Sequence, residues 1–145
     1  MGQTTYSFLD LAGAIAHPNR GAYTFTGEGV GEVTVTMSTD HTAHDVASDG
    51  SIMVSKISGN NGSVTISCQQ TSPVHKWLLA WHNYLLNAPT DQWAQTTALL
   101  RNTTDGSSHV VTGVSPQKMP DKQYQAQGQR VSWTLMAANI ENLTV

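Results

Sequence analysis

With 145 residues, a formal net charge of −3 and only seven lysines and arginines scattered along its length, the chain has room for one packed domain but no basic tract to neutralise phosphates. Charged residues make up 12% of it, about half the usual share, while Ser, Thr, Asn and Gln together supply roughly a third. Cys68 is the only cysteine, which excludes an internal disulfide and fits a reducing compartment.

Residues 6–15 predict a first strand and residues 23–25 a short one, followed by a turn through Gly27, Gly29 and Gly31. The 8–16 stretch is apolar, but Asp10 interrupts it and no basic residue precedes it, so neither a signal peptide nor a membrane anchor is expected. Val33, Val35 and Met37 alternate with Thr34, Thr36 and Ser38, the period of a strand with one dry and one wet face. From 39 to 50 no period survives, and Asp40, His41, His44, Asp45, Asp49 and Gly50 predict an extended loop. Residues 52–57 and 64–68 flank Asn60, Asn61 and Gly62, whose Asn-Gly pair predicts a hairpin between them.

Residues 72–87 predict one strong helix. Ser72 is placed to cap its first turn, and Pro73 falls where a missing N–H costs nothing. Val74, Trp77, Leu78, Trp81 and Leu85 form an apolar stripe that Leu79 and Leu86 widen, leaving Lys76, Asn83 and Asn87 as a polar back. That width has two possible uses: one large core absorbs it, or a flank of Trp77, Leu79, Trp81, His82 and Leu86 remains for a neighbouring copy. His75 and His82 stand two turns apart, about 10 Å, too far to share a zinc ion, and are expected on the flank at a contact.

Residues 93–101 fit helix or strand, and Thr96 and Thr97, with the Asp105-Gly106 turn before 108–114, favour a second hairpin; 116–128 is irregular. Residues 130–140 predict a long last strand with Val131, Trp133, Leu135 and Ala137 on one face. The expected fold is mainly β with one helix, a single domain over 1–145 built as a two-sheet sandwich or partly closed barrel with the helix on its side.

Catalytic patterns are weak. Gly27-Glu28-Gly29-Val30-Gly31 lacks the spacing of a phosphate-binding loop, and His41 and His44, three apart, have no obvious third ligand. No Gly-x-Ser-x-Gly elbow occurs, and Cys68 has no neighbouring base. Neither an enzyme nor a metal or other cofactor is expected. Trp77, Trp81 and Trp133 lie on apolar stripes and predict core duty rather than sugar stacking.

Several short segments run in a consistent order along nearly the whole chain: Tyr6-Ser7-Phe8-Leu9-Asp10, the glycine cluster before Val33-Thr34-Val35-Thr36-Met37, and Asp49-Gly50. Thr71-Ser72-Pro73-Val74, Met119-Pro120-Asp121 and Val131-Ser132-Trp133-Thr134 complete the set. In these the chain resembles the tail tube family of contractile-tailed bacteriophages, of the PhiTE-like kind. The charged positions of the 39–50 loop depart from the family's pattern.

The resemblance implies a structural virion protein. Homohexameric rings, their sheets joined between subunits into a barrel, would stack into the inner tube of a contractile tail, a passive conduit for DNA ejection assembled in the host cytoplasm. Implied partners are further copies of the chain, a tail sheath protein, a tape-measure protein in the lumen, baseplate and tail terminator proteins, and DNA in non-specific passage. On this reading the Trp77, Leu79, Trp81, His82 and Leu86 flank is the candidate subunit interface. The loop residues Asp40, His41, His44, Asp45 and Asp49, with residues 1–5, are candidates for stacking between rings. Glu32, Thr34, Thr36, Thr65 and Ser67 are candidates to face the lumen, because small neutral polar side chains offer phosphate no fixed cation. A type VI secretion-like tube protein is the alternative, and a monomeric carbohydrate-binding β domain a more distant one.

Overall fold

The computed structural model describes residues 2–3, 5–7, 11–25, 30–102 and 106–143. Along them run strands β1 (Leu11–His17), β2 (Gly21–Phe25), β3 (Val30–Met37), β4 (Thr42–Val46), β5 (Ile52–Lys56) and β6 (Gly62–Gln69). Helix α1 (Pro73–Asn87) and a 3-10 turn (Thr90–Gln92) lead into β7 (Thr96–Asn102), β8 (Ser108–Pro116) and β9 (Arg130–Leu143). Seven strands form one antiparallel sheet, in the order β2-β1-β7-β8-β9-β6-β3, curled as a half-barrel. Of the two architectures expected from the sequence, the partly closed barrel is the one found: one curled sheet rather than two packed sheets, with α1 filling the role of the second layer.

The inward face of the sheet is made by the alternates Val64, Ile66 and Cys68 on β6, Val131, Trp133, Leu135 and Ala137 on β9, and Ala98 and Leu100 on β7, all buried. Against them α1 lays Val74, Leu78, Trp81 and Leu85. The helix begins as its sequence demands: Ser72 Oγ accepts from the His75 N–H at 3.3 Å, and Pro73 occupies the first turn. Gly113 shapes the sheet between β7 and β8. Thr96 faces Val114 while Ala98 faces Val111, so β8 carries an extra residue, and Gly113 takes φ +66° to supply it. Val111 and Val114, three apart, thereby both point inward and are fully buried. Gly113→Ala is expected to destabilise by about 1–3 kcal/mol, since it strains a left-handed backbone and sets a methyl 2.6 Å from the Ala138 Cβ. A denaturant melt checks this, and an unchanged midpoint contradicts it.

The expected loop at 39–50 and the expected hairpin around Asn61-Gly62 are both corrected. β4 lies inside that loop segment and pairs with β5, from Thr42 facing Lys56 to Val46 facing Ile52, as a separate two-stranded arm. β6 instead pairs with β3 on one side and β9 on the other. Burial decides the pairing: β6 places Val64, Ile66 and Cys68 in the core, whereas every residue of β5 is exposed. Gly62 is not a turn glycine either. It starts β6, where a Cβ would collide with the Thr36 carbonyl oxygen. Of the expected first strand, 11–17 is strand and Tyr6 and Ser7 are not; Phe8, Leu9 and Asp10 lie outside the described residues. So do Gly27, Glu28 and Gly29 of the glycine turn, Asp105, and Met1 and Thr4 of the terminal segment proposed for stacking.

Candidate assembly surfaces

The helix flank is narrower than its sequence predicts. Trp81 is completely buried, and its indole Nε1–H donates to Thr96 Oγ1 at 2.9 Å. His82 is buried too, its ring 5.9 Å from that of Trp133, and His75 Nδ1 accepts from the Trp133 indole at 3.0 Å. Trp81, His82 and His75 thus belong to the protomer's own core, because the curled sheet reaches further round the helix than one flat layer does. Trp77 remains half-buried, stacked between Tyr23 at 6.0 Å and Trp81 at 6.2 Å. Leu79 is half-buried as well, and Leu86 is exposed. Of the five flank candidates, only Trp77, Leu79 and Leu86 offer surface.

Burial pushes the His75 imidazole pKa down, with the nearby Lys122 ammonium adding to it, and burial does the same at His82. The folded chain therefore holds both rings neutral, while the unfolded chain protonates them near pH 6.5. Their contribution is fully present above that value and is lost as pH falls below it toward the depressed folded values. Thermal melts are expected to show lower stability at pH 5 than at pH 7.5, with His82→Phe flattening part of the slope. A melting temperature that rises on acidification contradicts this.

Opposite the helix, β3, β6 and the start of β9 present small polar side chains. Thr34 faces Thr65, Glu32 faces Ser67 and Thr36 faces Ser63; Thr65 and Ser67 in turn face Thr134 and Ser132 on β9. The five residues singled out for the lumen therefore lie side by side on one face, and Thr34 Oγ1 donates to Glu32 Oε1 at 3.2 Å. Ser63, Ser132 and Thr134 extend that face. Ser132 and Thr134 join it only through the long-range pairing of β9 with β6.

The five loop candidates for stacking belong to the arm or lead into it. Asp40 and His41 lead into it, with His41 Nε2 at 2.7 Å from the Gly59 carbonyl oxygen. His44 and Asp45 lie on β4, facing Val54 and Met53. Asp49 closes the tip, its Oδ1 accepting from the Ser51 N–H at 3.0 Å and hydroxyl at 2.6 Å, bonds that hold its carboxyl below the usual range. One face of the ribbon carries Val46, Ile52 and Val54, which are 65%, 57% and 64% exposed. That apolar face escaped the sequence because its residues come from both sides of the tip.

The deciding comparison is with protein families: the model of the bacteriophage PhiTE tail tube protein matches residues 3–144. The chain belongs to that family. This PhiTE-type tail tube protein also shares its fold with chains of contractile injection systems. A chain in the anti-feeding prophage baseplate superposes with a TM-score of 0.65 at 11% identity, covering 100% of the present chain and 99% of the other. One in the sheath–tube complex of the PVC extracellular contractile injection system gives 0.61 at 11%, covering 97% and 93%. One in the sheath/tube terminator structure of that system gives 0.64 at 10%, covering 98% and 99%. Curated protein sequences give no significant match. The family is one of structural virion tail components.

Proposed function

We propose that this tail tube protein forms homohexameric rings that stack into the inner tube of a contractile tail, a passive conduit for DNA ejection. The half-barrel sheet is open at β2 and β3, and neighbouring copies would continue it there, joining six sheets into one barrel. The Ser/Thr face with Glu32, Thr34, Thr36, Thr65 and Ser67 lines the channel, where DNA and a tape-measure protein pass over small neutral side chains that give phosphate few charges to hold. α1 lies on the opposite, outer side, and its exposed residues Asn83 and Leu86, with the half-buried Trp77 and Leu79, face a subunit neighbour or the tail sheath. The arm, with Asp40, His41, His44, Asp45 and Asp49, bridges rings. Baseplate and terminator proteins close the two ends, and the particle is assembled in the host cytoplasm.

The uncovered arm carries this reading. A lone two-stranded ribbon is at best marginal in water, yet this one leaves every residue of both strands exposed, including Val46, Ile52 and Val54. Such a ribbon is the mark of a chain finished by its copies. Light scattering on the purified protein across a concentration series tests it. The expected particle has six copies and grows into longer assemblies on concentration; a monomer at every concentration contradicts it.

A further inference from the structure

The strand registers sort the chain's charges by end. At one end lie the arm, residues 60–62, the Asn102 end of β7, the Ser108 end of β8 and the close of β9, tied together where the Ile140 N–H donates to the Asn60 carbonyl at 2.7 Å. Asp40, Asp45, Asp49 and Glu141 stand there against Lys56 and Arg101. At the opposite end lie the turn from His17 to Gly21, the start of α1, the 3-10 turn, residues 117–129 and the start of β9, where Gln69 faces Arg130. Here stand five of the seven basic residues, Arg20, Lys76, Lys118, Lys122 and Arg130, against Glu32, Asp91 and Asp121. Lys118, Asp121 and Arg130 share an open cleft of about 330 Å³. Among the described residues, none of these charges is used in an ion pair within its own chain. Counted over the described residues, which leave out Asp10, Glu28 and Asp105, each end keeps a formal excess of two charges, negative at the arm and positive opposite.

We infer that copies stack head to tail by charge complementarity: the acidic arm end of one ring seats on the basic end, around Lys76, Lys118, Lys122 and Arg130, of the next. This rests on the tube reading and adds the surface that receives the arm. Opposite ends attract, whereas arm against arm or base against base sets like charges together, so the same distribution excludes reversed stacking and gives the tube one polarity. An open head-to-tail contact is also the kind that propagates as a filament. A ring repeats the contact around its circumference, so a modest attraction per copy becomes a firm one.

Two variants and their mixture test this. Asp40→Lys with Asp45→Lys makes both ends positive; Lys76→Glu with Lys118→Glu makes both ends negative. All four residues are exposed, so wild-type melting curves are expected, and electron microscopy reads assembly. Each variant alone is expected to form rings without tubes, and the equimolar mixture is expected to recover tubes of alternating rings. For the wild type, the critical concentration for tube growth is expected to rise about tenfold from low to high salt, because the contacts are screened. Tubes from either variant alone, or a mixture that stays as rings while wild type polymerises, overturns the charge-matched contact and leaves the tube reading standing. Wild-type protein that forms neither rings nor tubes overturns the tube reading itself.

Discussion

Replacing Trp81 by alanine is expected to lower the unfolding free energy by about 3–5 kcal/mol, the range for removing a buried tryptophan. The indole is fully buried, stacks on Trp77 and fills the space between α1 and the sheet. Its loss opens a cavity that the surrounding strands cannot close, because their register is fixed by paired neighbours on both sides. It also strands the Thr96 hydroxyl, itself fully buried, without its indole donor. Trp81→Phe separates the two terms: it keeps much of the packing and loses only the hydrogen bond and part of the volume. Chemical denaturation is expected to order stability as wild type, then Phe, then Ala. An alanine variant within 1 kcal/mol of wild type would show that the helix is not anchored through this residue.

The second large effect is on assembly and spares the fold. Val46→Asp with Val54→Asp puts charge on the apolar face of the arm without touching the core, since both residues are exposed in the protomer. Unfolding free energy is expected to stay within about 0.5 kcal/mol of wild type, as for exposed substitutions generally. If both side chains are buried between copies, each forfeits about 1.5–3 kcal/mol, which raises the critical concentration for tubes roughly a hundredfold or more. Sedimentation across a concentration series measures it. Tubes at the wild-type concentration would show that this face stays in water after assembly.

Local chemistry made some of the fold legible. Ser72 and Pro73 marked the helix start, where one cap hydrogen bond and one missing N–H decide the geometry. The alternation of Val131, Trp133, Leu135 and Ala137 marked β9, buried on one face as its period requires. Other features depend on distant partners. Residues 52–57 read as the mate of 64–68 because Asn61-Gly62 is strong turn chemistry, but β6 finds deeper burial between β3 and β9 and leaves β5 to β4. Helical periodicity gave the apolar width of α1 correctly, yet not how far the sheet curls round it, so Trp81 and His82 were placed on a flank although they are core. That Glu32, Thr34, Thr36, Thr65 and Ser67 each lie on the polar side of their strand was legible because alternation along β3 and β6 is local, while their neighbours on β9 required the fold. The basic end was invisible in sequence for the same reason. Arg20, Lys76, Lys118, Lys122 and Arg130 are far apart along the chain and meet only through topology.

The incompleteness of the single copy is the centre of the account, and it lies in the arm and the open sheet edges more than in the helix. Cryo-electron microscopy of the purified chain at high concentration tests it most directly. The predicted image is a hollow filament of stacked six-membered rings, with Thr34, Thr36, Thr65 and Ser67 on the channel wall, α1 outside and the β4–β5 arm covered by another copy. Compact single particles with the arm still bare, or filaments with α1 facing the channel, would contradict it.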